Sequence, residues 1–141
     1  MSFSGEYLHT VDEKGRVIMP LRFREALGNR CMLAKGMEDC LFVYPMEEWR
    51  KKEAQLETLS MFQRKNRDFK RRFFSGSFEA EPDKQGRINL SNELIAYAKL
   101  GKDVYITGAG DYIEIWDRGR WDEYRDQLNE EYEVLAEDLG L

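Results

Sequence analysis

The chain has 141 residues and a formal net charge of −5, with 42% hydrophobic and 35% charged residues. This length fits one domain, or two very small units that share a core, and the acidic charge is unlike that of a generic non-specific nucleic-acid binder. No apolar run approaches the roughly 18 residues of a membrane span. One histidine and two cysteines, His9, Cys31 and Cys40, predict no metal site, cofactor or disulfide framework. We therefore expect a cytoplasmic protein that is neither membrane-bound nor an enzyme.

The first predicted element is a short strand that ends at a tight turn, Asp12-Glu13-Lys14-Gly15-Arg16. Gly15 can adopt the positive φ that such a turn requires, and Asp12 can accept hydrogen bonds from N–H groups two or three residues later. A second short strand follows the turn. The pattern predicts a strand–turn–strand unit with an arginine directly after its glycine.

A short helix and a hairpin are predicted next. Pro20 suits the first turn of a helix, and Gly28 suits its end. Arg30–Ala34 and Cys40–Tyr44 are apolar runs on either side of a turn, which is typical of a β-hairpin.

A longer helical stretch opens at Pro45 and carries a strong positive charge. Residues 50–72 hold nine Lys or Arg against three Asp or Glu, a local balance of +6. The stretch breaks near Ser60 or Asn66, and its apolar residues are expected on one stripe: Trp49, Leu56, Leu59, Phe62, Phe69 and Phe73. The basic run favours a solvated helix face with aromatic residues directed at the core. A nucleic-acid patch, or a contact with an acidic segment of a neighbouring subunit, are alternatives.

The second half of the chain repeats the first at an offset of 71 residues. Between positions 3–20 and 74–91 six residues are identical, and they include both ends of the turn, now Asp83-Lys84-Gln85-Gly86-Arg87. Chance would give roughly one identity at ordinary composition. Ser91 is expected to cap a helix that ends at Gly101. A second hairpin is expected to turn at Gly108-Ala109-Gly110.

The C-terminal stretch is predicted to be helical and acidic. Residues 111–141 hold eleven Asp or Glu against three Lys or Arg, a balance of −8. One face is expected to carry the apolar side chains Trp121, Tyr124, Leu128, Tyr132 and Leu135. Neither half of about 70 residues buries much core alone. We therefore expect two units, residues 1–72 and 73–141, that pair their strands into one barrel about a pseudo-twofold axis.

The strand, Asp-x-x-Gly-Arg turn, strand and short helix resemble the SpoVT/AbrB-type DNA-binding half-barrel. Two tandem copies, each with a trailing helix anchored by tryptophan, look like a transcriptional regulator of the bacterial division and cell-wall gene cluster. The resemblance implies an α+β fold with a mainly β core, a swapped-hairpin, double-psi-like β-barrel with flanking helices. It also implies a repressor that binds direct repeats in double-stranded promoter DNA, including that of its own operon, as a nucleoid-associated, ring-shaped homo-oligomer with no small-molecule substrate.

The resemblance and the residue chemistry together nominate a DNA-binding set. Arginine can pair with guanine or phosphate through its planar fork, and lysine in the same loops suits phosphate. The candidates are Arg16, Arg87, Lys14, Lys84, Arg22 and Arg24. The turn residues Asp12, Gly15, Asp83 and Gly86 are expected to be structural.

Two other interpretations remain at this point. Each Asp–Arg pair could be an intra-loop salt bridge that only shapes its turn. The whole chain could instead act as an antitoxin-like module, because related half-barrels neutralise toxins through appended segments. Antitoxins of that kind usually carry one half-barrel and a disordered tail, whereas this chain carries two copies.

Overall fold

The computed structural model describes residues 2–141, which form eight strands and five helices. In chain order these are β1 (Glu6–Thr10), β2 (Arg16–Ile18), α1 (Leu21–Leu27), β3 (Cys31–Lys35), β4 (Leu41–Pro45), α2 (Met46–Glu57), α3 (Arg64–Ser75), β5 (Phe78–Ala80), β6 (Arg87–Asn89), α4 (Asn92–Tyr97), β7 (Asp103–Gly108), β8 (Ile113–Asp117) and α5 (Arg118–Asp138). The order of β1 to β4 around α1 recurs in β5 to β8 around α4. The predicted α+β class with a mainly β core is confirmed.

Strand pairing exchanges the two halves. The six-stranded sheet has the order β1-β7-β8-β4-β3-β5, and β2 pairs with β6 in a separate two-stranded ribbon. If each strand is replaced by its counterpart in the other half, the result is the same sheet order read from the opposite edge. The counterparts are β1 and β5, β3 and β7, and β4 and β8. The first strand of each half lies against the third strand of the other half, β1 on β7 and β5 on β3, both antiparallel. This arrangement is the pseudo-twofold, swapped topology that the repeat predicts.

Two apolar clusters lie on opposite faces of the six-stranded sheet's central strands. The first fills the space between the sheet and the ribbon and includes Val17, Met19, Ile88 and Leu90, each at most 2% exposed. The second lies under α2, α3 and the start of α5 and is rich in aromatic residues. Because β3 and β4 serve both clusters, nearly every residue of these two strands is buried.

The ends of the short helices follow the predictions except at the end of α4. α1 ends at Gly28, which has a φ of 67°. The Ser91 side chain accepts a hydrogen bond from the N–H of Leu94, as expected of a cap. Gly101 does not end α4, however, because the helix stops at Tyr97 and Lys99 takes the left-handed φ of 54°.

The predicted apolar stripes are too long. Residues 58–63 separate α2 from α3, so the break falls at Ser60 and not at Asn66, which lies inside α3. Leu59 and Phe62 therefore belong to the connection, where Phe62 is 88% exposed. On α5, Trp121 and Tyr124 pack against the second cluster. Farther along the same face the side chains Tyr132 and Leu135 are exposed, since the helix extends beyond the sheet.

Candidate nucleic-acid interface

The first turn is held by its own aspartate. Asp12 Oδ1 accepts hydrogen bonds from the backbone N–H groups of Lys14 and Arg16, both at 2.9 Å. The N–H of Gly15 donates to the Asp12 carbonyl at 3.0 Å, and Gly15 has a φ of 76°. Because only glycine enters this left-handed region without steric cost, the local sequence is enough to specify the turn.

The second turn repeats this geometry. Asp83 Oδ1 accepts from the N–H groups of Gln85 and Arg87, again at 2.9 Å. Gly86 has a φ of 79°, and its N–H donates to the Asp83 carbonyl at 2.9 Å. Two turns of different internal sequence thus present the following arginine in the same way.

These bonds keep both aspartates charged. The backbone N–H of Arg16 is the main cause that holds the pKa of Asp12 below its ordinary value of 3.8, and the Arg16 side chain adds to the effect. Arg87 lowers the pKa of Asp83 in the same two ways. A carboxylate that accepts several N–H bonds favours its ionised form, so each turn keeps an anion beside its arginine at neutral pH.

Each arginine side chain donates a hydrogen bond to the aspartate of its own turn through a single nitrogen, Nε. Arg16 Nε donates to Asp12 Oδ2 at 2.9 Å, and Arg87 Nε donates to Asp83 Oδ2 at 2.6 Å. The two arginine side chains are 27% and 31% exposed. Within residues 2–141 the Nη1 and Nη2 groups of both arginines make no hydrogen bond, so each guanidinium keeps four N–H donors for an external acceptor.

The ribbon β2–β6 puts the two arginines on one face. Its register pairs Arg16 with Asn89, Val17 with Ile88, and Ile18 with Arg87. Paired residues share a side of an antiparallel ribbon, and alternate residues along a strand do likewise. The central pair, Val17 and Ile88, is buried at 1% and 0% exposure.

The remaining four residues of the ribbon, Arg16, Ile18, Arg87 and Asn89, therefore point outward together. We call this surface the ribbon face. Diagonal neighbours across an antiparallel pair lie about 7 to 8 Å apart, which sets the separation of the two arginine Cα atoms. The turns at both ends are clamped by the opposite half, since Leu90 N–H donates to the Gly15 carbonyl at 2.8 Å and Met19 N–H to the Gly86 carbonyl at 2.9 Å.

The other predicted cations lie in the two turns and on α1, and Arg24 differs from the rest in role. Lys14 and Lys84 are exposed in the two turns, and Arg22 is exposed on α1. Arg24 packs over the second turn instead, where its Nε donates to the Met19 carbonyl at 2.9 Å. A Cβ on Gly86 would collide with that nitrogen. Arg24 thus shapes the turn that precedes Arg87.

Two members of the ribbon face, Ile18 and Asn89, are absent from the predicted set. Ile18 is 39% exposed, although it is a large apolar side chain in the middle of a folded unit. The signal for both residues was the alternation with the buried pair Val17 and Ile88. A strand of three residues is too short for that alternation to stand out without the pairing partner.

The geometry suits a nucleic-acid duplex. A two-stranded ribbon fits the B-DNA major groove, which is about 12 Å wide, and arginine, asparagine and apolar side chains are the usual readers of guanine, adenine and the thymine methyl group. Residues 2–141 contain no group of three or more His, Cys, Asp or Glu side chains placed to hold a metal ion. None of the helices in this part of the chain is long and apolar enough to cross a bilayer.

Two strand–turn–strand–helix–hairpin units that exchange strands about a pseudo-twofold axis, each with an Asp-x-x-Gly-Arg turn, define the class of tandem SpoVT/AbrB-type half-barrels. The family model described as "MraZ protein, putative antitoxin-like" matches the chain twice, over residues 2–72 and 73–139. The chain belongs to the MraZ family.

Curated relatives match almost the whole chain. A transcriptional regulator MraZ of Lactobacillus delbrueckii subsp. bulgaricus is 50% identical over 137 residues, which are 97% of this chain and 96% of the relative. Transcriptional regulators MraZ of Moorella thermoacetica and Desulforamulus reducens are 48% and 47% identical over the same shares. The similarity therefore includes both turns, the ribbon and all five helices.

Proposed function

We propose that this protein is a DNA-binding transcriptional regulator that reads promoter DNA with the ribbon face. The observation that carries the proposal is the placement of Arg16 and Arg87 on one outward face, with their terminal guanidinium nitrogens unused. Relatives named transcriptional regulators that cover 97% of the chain support the same class. The resemblance adds that the regulated genes include its own operon in the division and cell-wall gene cluster, with repression as the usual outcome.

The residues divide the work by their chemistry. The Nη groups of Arg16 and Arg87 are free to pair with guanine O6 and N7 or with phosphate oxygens. Lys14 and Lys84 in the two turns and Arg22 on α1 are exposed cations suited to phosphate, which positions a protein on the duplex without reading its sequence. Asp12 and Asp83 hold the arginines in place, so both the structural and the functional interpretation of the Asp–Arg pair apply.

Assembly is the second part of the proposal. One ribbon face of four residues offers few contacts, whereas a ring-shaped homo-oligomer would place several of them along direct repeats. Linked sites raise the effective concentration of each further contact. An acidic protein can then hold DNA through a few converging positive loops, and it would be found in the cytoplasm on the nucleoid.

A double variant tests the site. Changing Arg16 and Arg87 to Ala should abolish retention of the DNA upstream of the gene in a gel-shift assay, while the mass from light scattering stays that of the wild type. The matched control changes Arg30 and Arg118 to Ala, because these exposed arginines also pair with a carboxylate, at 3.6 and 3.8 Å, and are not part of the ribbon. Wild-type retention by the ribbon variant would refute the assignment.

The antitoxin-like alternative agrees with the term "antitoxin-like" in the description of the family model. The relatives that match both halves are nevertheless named transcriptional regulators. Co-purification of a small basic toxin with the intact chain, abolished by removal of α5, would favour the alternative.

A further inference from the structure

The last third of α5 carries an apolar stripe that nothing within residues 2–141 covers. Tyr132, Leu135 and Leu139 are 71%, 41% and 73% exposed. At 3.6 residues per turn they share one face with Leu128, which we call the tail stripe. Trp121 and Tyr124 continue this face into the second apolar cluster, so one helix face is a core element at its start and bare at its end.

The same segment is strongly acidic. Residues 126–141 hold six Asp or Glu and no Lys or Arg. Glu131 and Asp138 border the tail stripe on one side, whereas Glu130 and Glu137 lie on the opposite face of the helix. A bare apolar stripe with an acidic border is suited to an apolar groove with a basic rim.

Such a groove lies on the second apolar cluster, next to the cavity that Leu128 helps to line. A cavity of about 350 Å³ opens beside α2 and α3, and a neighbouring one of about 280 Å³ shares part of its lining. Their apolar lining, which we call the aromatic cleft, consists of Met37, Phe42, Leu56, Phe69, Phe73 and Tyr112. Lys52 lines the first cavity, and Arg72, which is paired with Glu93, lines the second.

The charge around the cleft complements that of the tail. Residues 50–72, which supply most of α2 and most of α3, have a local balance of +6. Within residues 2–141 the Lys52 ammonium has no carboxylate within 4.0 Å, in contrast to Lys51, which pairs with Glu48 at 3.0 Å. The cleft thus has both the apolar floor and the unpaired cation that the acidic stripe needs.

We propose that the tail stripe of one copy docks into the aromatic cleft of a second copy. The proposal deepens the assembly part of the proposed function by naming the two surfaces that join the subunits. A tail cannot enter the cleft of its own chain, because α5 is one continuous helix of 21 residues, about 31 Å long, and its start is packed on the sheet. The occupant is therefore another chain of the same kind.

The contact has a consequence for symmetry. The tail stripe and the aromatic cleft are different surfaces. Each subunit therefore docks its tail stripe on one neighbour and accepts the tail stripe of another neighbour in its aromatic cleft. A head-to-tail contact of this type generates a closed ring where the rotation closes. Every subunit then keeps its ribbon face free, since the ribbon lies on the opposite side of the sheet from the cleft.

Charge reversal on the helix tests the contact with a matched control. Glu131→Lys with Asp138→Lys should shift the light-scattering mass from an oligomer toward the 16.7 kDa monomer, because like charges then face Lys52. Glu130→Lys with Glu137→Lys makes the same charge change on the opposite face and should keep the wild-type mass. Adding Lys52→Glu to the first variant should restore part of the assembly. Equal masses for the two reversed variants would overturn the proposal.

Cross-linking tests the register. Met37→Cys with Leu135→Cys should give a ladder of covalent oligomers on oxidation, since both native cysteines are buried. Met37→Cys with Val134→Cys moves the second thiol off the tail stripe and should give far less ladder. A ladder of equal yield from both pairs would contradict docking through this face.

The outcomes for assembly and for DNA binding are separable. A wild-type protein that is monomeric but retains promoter DNA overturns the docking and leaves the ribbon face intact. An oligomer that depends on Glu131 and Asp138 but fails to retain the DNA overturns the proposed function and leaves the docking intact.

Discussion

At the scale of single residues, the two aspartates restrict the two arginines that we propose as DNA contacts. A free arginine side chain loses about 2 kcal/mol of rotamer entropy when it is fixed. The bonds from Arg16 Nε to Asp12 and from Arg87 Nε to Asp83 restrict the side chains before any partner arrives. Preorganisation of this kind increases affinity because less entropy remains to be lost on binding.

The aspartates also predict a dependence of stability on pH. Since folding lowers the pKa of Asp12 and Asp83, their contribution to stability is full above the unfolded pKa of about 3.9 and is lost as the pH falls through the lower folded pKa. The melting temperature of the wild type should therefore fall on acidification below about pH 4. Asp12→Asn with Asp83→Asn should flatten this part of the curve.

A control for the pH experiment is available in the same loops. Glu13 and Glu81 are exposed and their carboxylates make no hydrogen bond among residues 2–141. Changing both to Gln should leave the acid limb of the melting curve as in the wild type. An equal flattening in both variants would assign the effect to net charge and not to the turns.

Alanine substitutions at Gly28 and Gly86 distinguish the stability cost of backbone strain from the cost of close packing. Both have a positive φ, but a Cβ on Gly28 meets nothing within 4 Å, whereas one on Gly86 would strike the Arg24 guanidinium. Gly28→Ala should cost roughly 1 to 3 kcal/mol, because its φ of 67° and ψ of −147° lie in a backbone region that is essentially reserved for glycine. Gly86→Ala should add about 1 kcal/mol to the cost of its own positive φ, because Arg24 must give up its bond to the Met19 carbonyl.

Urea unfolding measures both costs, and a double variant identifies the cause. If the excess arises from displaced Arg24, then Arg24→Ala with Gly86→Ala should be destabilised by less than the sum of the single changes. Strict additivity would show that the excess at Gly86 comes from elsewhere.

At the scale of elements, the sequence predicts those features that are determined by contacts between residues close together in the chain. The Asp12 and Asp83 turns were predictable because glycine, aspartate and the N–H groups that they serve all lie within four residues. The end of α4 was not, because Lys99 takes the left-handed position that Gly101 was expected to fill. Lys99 lies beside Asp39 from the β3–β4 connection, at 3.2 Å, a contact 60 residues away in sequence.

The ribbon shows the same limit at the candidate site. The arginines of the site follow from the repeated motif, but the common face of Arg16, Ile18, Arg87 and Asn89 depends on how β2 pairs with β6. Three-residue strands give no reliable period of two. Only the register reveals that Ile18 and Asn89 lie beside the arginines.

The two faces of the ribbon predict opposite effects of two isoleucine changes. Ile88 is fully buried, so Ile88→Ala should cost about 2 to 4 kcal/mol of stability. Ile18 is half-exposed on the ribbon face, so Ile18→Ala should change stability by no more than about 0.5 kcal/mol and yet weaken DNA retention several-fold. Urea unfolding and gel shifts on both variants measure the two effects. A stable Ile18→Ala protein with wild-type retention would exclude that side chain from the interface.

At the scale of the whole molecule, the strand exchange makes the two halves interdependent. β1 has its pairing partner in β7, and β5 has its partner in β3, so neither half keeps its sheet without the other. The boundary between residues 1–72 and 73–141 stays a prediction about sequence units. The palindromic strand order explains why a duplicated sequence can form a single core, which a lone copy of about 70 residues would struggle to do.

Charge distribution, rather than net charge, governs how this molecule meets DNA. The chain carries −5 overall, yet the ribbon face and its two turns present Arg16, Arg87, Lys14 and Lys84, while the acidic excess is concentrated in α5. Each phosphate contact that is lost should reduce the slope of log affinity against log salt by about 0.9. Lys84→Ala, measured by fluorescence anisotropy between about 50 and 200 mM salt, should therefore flatten the slope by about 0.9 for each copy engaged and weaken binding to every sequence alike. Lys65→Ala provides the control, since this lysine is exposed on α3, which packs on the face of the sheet opposite the ribbon, and should leave the slope unchanged. A Lys84→Ala protein with the wild-type slope would show that the second turn holds no phosphate, and the contact would then belong to the arginines alone.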